Sequence, residues 1–270
     1  MCIHSTELQP ARAEGSVCPE VAELQSVFEE WMVGRDGVRI LEAGCGSASY
    51  LCWAPGSHIT GMDISQKQLD RNETVSEKIR GDIQTYQLPP SSYDVIICWD
   101  VLEHLPHPEL AIKNFVRAIR PDGLIILAFP NVVSVKGLIA KFTPHWFHVW
   151  VYRHFLGIKD AGKDDTAPFK TFLRFSISPR AIRNTARRLG MDLVHVRHYQ
   201  TGMQKELRSK HRIVRWAVSS LGLLLRAVSL GRIDGTLSDC IYVLRRSAAV
   251  VAPATVTARA AKEATYGARA

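Results

Sequence analysis

No run in this 270-residue chain is long and apolar enough to span a bilayer, and the most apolar window, WAVSSLGLLLRAVSLG, is broken by Arg226. The N-terminal MCIHSTELQPARAEG lacks the apolar centre of a secretion signal. Both absences point to the cytoplasm, with at most a peripheral membrane contact. The six cysteines, Cys2, Cys18, Cys45, Cys52, Cys98 and Cys240, form no CxxC pair and no metal-finger spacing, so they read as reduced thiols. Charged residues are scarce, 22% against 46% hydrophobic, which excludes a disordered chain. Acids are the scarcer sign, 26 Asp and Glu against 34 Lys and Arg. The resulting charge of +8 admits an anionic partner without choosing among nucleic acid, lipid surface and phosphorylated substrate. There is no internal repeat.

What is present is an alternation. Val21, Leu24, Val27, Phe28 and Trp31 recur at helical spacing behind Pro19 and predict a helix over Pro19–Val33. VRILEA is then followed by a short helix, HITGMD by a helix from Ser65 to Lys78, YDVIICW by one opening near Pro108, and GLIILAFP closes the series. All-apolar strands separated by helices imply a doubly wound α/β domain whose mostly parallel sheet is covered on both faces. This core spans 36–131, behind an N-terminal helical segment, 1–35. From 132 to 177 the rhythm breaks into TPHWFHVWVYRHF, where Thr143 caps a helix with Pro144 at its first position, and the turn-rich IKDAGKDDTAPFKT. That stretch reads as a cap insertion over the acceptor site. The α/β pattern resumes over 178–246: Ser178 and Pro179 open a helix that Gly190 ends, MDLVHVRHY alternates as a strand, a basic amphipathic helix covers roughly 205–230, and SDCIYVLRR is the last strand. The tail, 247–270, reads as disordered.

The first strand runs into glycines in VRILEAGCGSASYL, with Gly44 and Gly46 in place. A dinucleotide loop wants a third glycine where Ser49 stands, or, in its tighter form, where Ala48 stands. Glu42 precedes the first glycine at the carboxyl end of the strand, where ligands bind in open α/β sheets. A carboxylate there repels a pyrophosphate, which wants bare amides at a helix N-terminus. It suits a ligand with a cationic end, and S-adenosylmethionine has an ammonium, a sulfonium and no phosphate. Asp63 ends the second strand, placed to accept both ribose hydroxyls, with Ile64 beside it to pack on the adenine. Asp82 follows the third strand position, where it can accept the adenine amino group. Each acid alone also reads as a solvated strand-end residue; three after successive strands are the more specific signal.

The segments ILEAGCGSA, GMD, GDIQ, YDVIICWDVLEHL and LAIKNFVRAIRPDGLIILAFPN resemble the class I S-adenosylmethionine-dependent methyltransferases, over about residues 36–131 and again 178–199. Within that family the chain is most similar to small-molecule enzymes of the ubiquinone O-methyltransferase type, which share C-x-x-x-LEH after the fourth strand. The resemblance implies a seven-stranded Rossmann-like sheet and S-adenosylmethionine as cofactor. By position, Glu42, Gly44, Gly46, Asp63 and Asp82 would hold it, with Cys45, Ile64, Ile83 and Trp99 beside them. Two departures stand out: Ala48 replaces a glycine, which a helix start tolerates, and Pro55 and Gly56 cut the following helix short.

For chemistry the candidate is CWDVLEHLPHP. If Asp100 to His104 begin a helical turn, Asp100, Glu103 and His104 share one face. His104 can then deprotonate a hydroxyl as it attacks a methyl carbon, with Glu103 alongside. The same three groups also suit a divalent cation, but no further ligands stand nearby, so metal is not the expected reading. In the plainer account Glu103 ties the cofactor loop and His104 is a structural contact. The insertion adds His145, His148 and His154 among Trp146, Phe147, Trp150, Tyr152 and Phe155, mostly packing aromatics, with one or two lining the acceptor pocket. His145 and His148 are second-choice bases. In the basic helix, Ile213, Trp216, Ala217, Leu221, Leu224 and Val228 form a stripe behind Lys205, Arg208, Lys210, Arg212 and Arg215. Such a helix either lies on anionic lipid or packs its stripe on the domain.

The expected activity is methyl transfer to a hydroxyl, less readily an amine or carbon, of a small-molecule or lipid-linked acceptor in secondary metabolism, quinone or glycan biosynthesis. The alternative is an RNA-binding protein or RNA methyltransferase using the basic surface. The chain has no added RNA-binding module and no NPPY tetrad, so nucleic acid is not the expected partner. Glu42 and Ser49 also disfavour a nicotinamide oxidoreductase on the same fold.

Overall fold

A computed structural model describes residues 19–48, 51, 53, 55–154, 157–163 and 168–247. Ser49, Phe155, Cys2, Cys18, Cys52 and the tail beyond Ser247 lie outside the described residues. Among the described residues, seven strands form one sheet in the order β3-β2-β1-β4-β5-β7-β6. They are β1 (Arg39–Ala43), β2 (His58–Asp63), β3 (Glu77–Arg80), β4 (Tyr93–Trp99), β5 (Ile119–Pro130), β6 (Met191–Tyr199) and β7 (Asp239–Arg246). The first five pair in parallel, and β7 enters antiparallel between β5 and β6.

The unbroken apolar run of β4 follows from burial on both faces. Val95, Ile97 and Trp99 pack toward Leu24 and Phe28 of α1 (Pro19–Met32). Tyr93, Ile96 and Cys98 pack on the opposite face, toward Ile112 and Phe115 of α3 (Pro108–Ala118) and Ile182 of α6 (Pro179–Arg188). The ends of α6 are as the sequence predicts: the Ser178 hydroxyl accepts from the Ala181 amide, and Gly190 takes φ +68° just beyond the helix.

Several elements differ from expectation, each for a local reason. The helix predicted from Ser65 to Lys78 is only α2 (Gln66–Arg71), capped by Ser65. It stops at Asn72, whose fully buried side chain accepts from the Thr74 amide and hydroxyl and donates to the Gly46 carbonyl. The short helix expected after β1 falls largely on Ser49, Tyr50, Cys52 and Ala54, which lie outside the described residues; Pro55 and Gly56 form a turn ahead of β2. Thr143 ends α4 (Val135–Phe142) instead of capping the next helix, because its hydroxyl donates to the Ile139 carbonyl; α5 (His145–His154) starts just after Pro144. The basic helix breaks at His211, which is extended, into α7 (Gly202–Lys210) and α8 (Arg212–Val228). Among the described residues nothing covers its stripe: Ile213, Trp216 and Val228 are 85%, 77% and 76% exposed.

Candidate functional site

The sheet register lines up four acids along the carboxyl edge of adjacent strands. Glu42 near the end of β1 lies opposite Gly61 of β2 and Ile97 of β4, and Asp63 ends β2 opposite Arg80 of β3. Asp82 follows two residues past β3 and Asp100 one residue past β4. The crevice between β1 and β4, where the strand order reverses direction, is where open α/β sheets bind ligands.

The two glycines between them do different work. Gly44 has φ +77°, and a Cβ on it would lie 2.4 Å from Cγ2 of Val101, so the loop packs directly against the chain leaving β4. Gly46 has φ +54° and nothing within 4 Å of a Cβ position, and its amide donates to Asp63 Oδ2 at 3.0 Å. Asp63 Oδ1 also accepts from the Ser65 amide at 2.8 Å. A carboxylate has about four lone-pair positions, so about one on each oxygen remains for a vicinal diol. Ile64 beside it is 70% exposed, an apolar platform at the rim. Glu42 is buried and accepts from Trp53 Nε1 at 3.1 Å. Asp82 accepts from the amide and side chain of Gln84. The Cys45 thiol is pushed up to about 12 by burial and by Asp63 and Glu42, which keeps it protonated and unreactive. Trp99 is buried on the α1 face, and the Ile83 side chain packs in the opposite core, so any hold of Ile83 on a cofactor falls to its backbone. A row of carboxylates, open space over Gly46 and an exposed aliphatic rim fit S-adenosylmethionine and oppose a pyrophosphate.

Beyond β4 the backbone is strained. Asp100 takes φ +52°, a left-handed conformation uncommon outside glycine, and its amide donates to the Ala128 carbonyl at 2.9 Å. A 3-10 turn, Leu102–His104, follows, so Asp100 precedes the turn and does not share a helical face with Glu103 and His104. Among the described residues no three His, Cys, Asp or Glu side chains are grouped to hold a metal ion, which removes the support for a cation at Asp100, Glu103 and His104. The His104 ring is fixed differently: Nδ1 lies 2.8 Å from the Lys170 carbonyl oxygen, and the ring meets Phe169 edge-on at 6.1 Å. A carbonyl only accepts, so Nδ1 carries the hydrogen and Nε2 keeps its lone pair. Burial holds this imidazole below its ordinary pKa. Glu103 is buried, and its Oε2 has no hydrogen-bond partner among the described residues. Burial raises its carboxyl to about 8. Asp100 is also raised, to about 8, first by burial of its surroundings and then by Glu103 and Asp239, although the residue itself is exposed.

Residues 41–127 match a family described as "Methyltransferase domain". These residues carry a methyltransferase domain. It is 24% identical over 185 residues to a ubiquinone biosynthesis O-methyltransferase of Azoarcus sp., covering 64% of this chain and 73% of that protein. A protein of the same description from Aeromonas salmonicida is 26% identical over 132 residues, 44% of this chain and 55% of its own length. The chain thus spans only about half of that second relative. A solved structure of Haemonchus contortus phosphoethanolamine N-methyltransferase 2 with S-adenosyl-L-methionine superposes with a TM-score of 0.50 at 15% identity, covering 84% of this chain and 52% of that one, a likeness of fold.

The methyltransferase places three further groups beside Asp100 that the motifs do not reveal. Lys136 on α4 donates to both oxygens of buried Asp239, at 3.0 and 3.2 Å. Because β7 is antiparallel, Asp239 at its start sits opposite Pro130, on the carboxyl edge of β5. Tyr152 on α5 is raised chiefly by burial, and Lys136, Asp100 and Asp239 all act on it, which sets the phenol beside this cluster. The sequence signals for these groups are slight: Tyr152 stands among the aromatics of the insertion, and Asp239 is an acid near the start of the last apolar run. The second-choice bases lie apart from His104: His145 is exposed, and His148 Nε2 is engaged by the Thr143 hydroxyl at 2.7 Å. His148 is one turn before Tyr152 on α5, and no contact joins either ring to the Leu102–His104 turn among the described residues.

Proposed function

We propose that this methyltransferase acts on a hydroxyl of a small-molecule or lipid-linked acceptor, in quinone, glycan or secondary-metabolite biosynthesis. The acceptor would sit between the Leu102–His104 turn, α5 and residues 168–173. The observation that carries this reading is the one-sided hydrogen bonding of His104. Its Nδ1–H is committed to Lys170, so Nε2 is a fixed, neutral base, which is the group that a hydroxyl needs in order to lose its proton. Bound S-adenosylmethionine supplies an electrophilic methyl group on a sulfonium. Glu42 faces its cationic methionine end, Asp63 the ribose diol, Ile64 the adenine face and Asp82 the adenine amino group. His104 Nε2 takes the proton as the acceptor oxygen acquires the methyl group, while Tyr152 and Phe169 orient the acceptor; alignment contributes alongside proton removal. The names of the ubiquinone relatives favour a phenolic acceptor.

The test is His104→Asn, assayed by calorimetry for S-adenosylmethionine and by methyl transfer to a panel of phenols and catechols. The expected result is cofactor affinity within about threefold of wild type and kcat lower by about 10²–10⁴. Unchanged kcat removes His104 as the base. Failure of the folded wild type to bind millimolar cofactor overturns the whole reading.

A further inference from the structure

Helix α8 rests one face on the protein and leaves its apolar face uncovered by any described residue. It seats through Gly222, where a Cβ would lie 2.7 Å from Cγ2 of Thr236, with half-buried Val214, Val218 and Leu225 on the same side. At about 100° per residue the remaining arc gathers Ile213, Trp216, Leu221, Leu224 and Val228, all exposed. Arg212, Arg215 and Arg226 fall together along one border of that arc. The segment 202–232 holds seven Lys and Arg against the single acid Glu206. Helix α4, which packs against α8, extends the apolar surface with Ile139 and Phe142, and the same helix carries Lys136. Among the described residues no helix is long and apolar enough to cross a membrane.

We propose that α8 docks the chain on an anionic lipid bilayer, its apolar face entering the acyl boundary and its flanking arginines meeting headgroup phosphates. The charge pattern selects this occupant. A second copy paired about a twofold axis would set one cationic segment against another, whereas an anionic leaflet complements it. An apolar face edged by basic residues lies in the plane of the interface without spanning it. The inference stands on α8 alone and does not depend on which acceptor is methylated.

The full chain is tested by cosedimentation with vesicles of equal parts phosphatidylcholine and phosphatidylglycerol, and with vesicles of phosphatidylcholine alone. Binding to the mixed vesicles is expected to be at least about tenfold tighter and to weaken as salt is raised. Trp216→Glu combined with Leu224→Glu abolishes it without lowering the thermal midpoint, since both side chains are exposed. Arg212→Gln and Arg215→Gln each weaken it by about fivefold. The proposal is overturned if the mixed vesicles are not bound, or if the double glutamate variant binds as wild type. It is equally overturned if sedimentation velocity shows a wild-type dimer that this variant converts to monomer, because the face is then a contact between copies.

Discussion

The Nδ1 atom of His104 lies 2.8 Å from the main-chain oxygen of Lys170, 66 residues further along the chain. A ring held this way has one tautomer and one orientation, and burial keeps it neutral. Protonation removes the Nε2 lone pair, so kcat should fall as pH drops through a value below 6.5 and stay flat above it. A kcat–pH profile checks this, and an apparent pKa above 7 would assign the limb to another group.

Cofactor affinity should respond to pH in the opposite range. Asp100 and Glu103 titrate near 8; Val101 between them packs on Gly44 of the loop that follows Glu42, so a cationic methionine end held at Glu42 lies near both and favours their ionised forms. S-adenosylmethionine should therefore bind more tightly at pH 9 than at pH 6, releasing a proton on binding at neutral pH. Calorimetry in two buffers of different ionisation enthalpy reads the proton directly. Asp100→Asn should reduce its release.

Glu103 also makes stability depend on pH. Its carboxyl titrates near 4.5 in the unfolded chain and near 8 in the fold, so between those values the unfolded chain has lost a proton that the native state retains. Stability falls as pH rises across that window. Glu103→Gln should flatten the fall and, relative to wild type, gain more than about 1 kcal/mol between pH 5 and pH 9 in denaturant titrations.

The two glycines of the cofactor loop should differ sharply. Gly44→Ala forces a methyl into Val101 at a positive φ, and should cost about 1–3 kcal/mol and most cofactor affinity. Gly46→Ala meets no atom within 4 Å and bears only the backbone penalty, about 1 kcal/mol. Adding Val101→Ala should recover part of the Gly44→Ala loss and none of the Gly46→Ala loss, as thermal melts would show.

Lys136→Met should leave the buried Asp239 carboxylate without its cation, destabilising by about 1–3 kcal/mol, and should move the titration of Asp100 and Glu103 further up. Pairing it with Asp239→Asn should restore much of the stability, a coupling that a double-mutant cycle measures.

The edge that carries Glu42, Gly44 and Asp63 was legible because RILEA and HITGMD are apolar runs that mark where β1 and β2 end, whereas β3, EKIR, has no such run to place Asp82. Lys136, Tyr152 and Asp239 reach Asp100 from three separate segments, and only the antiparallel direction of β7 brings Asp239 to that edge. Periodicity does not show where a side chain competes with the backbone, as Asn72 does at the end of α2. For α8, periodicity marks an apolar stripe but not what it faces, and the answer turned on Gly222 meeting Thr236.

The position of β7 between β5 and β6 also bears on how the molecule is assembled on the ribosome. Until Asp239–Arg246 has been synthesised, β5 presents an unpaired edge and β6, which pairs in the sheet with β7, has no strand to join. The strand that joins them also delivers Asp239 to Lys136, so the nascent chain gains a closed sheet and the charge pair beside Asp100 in the same late event.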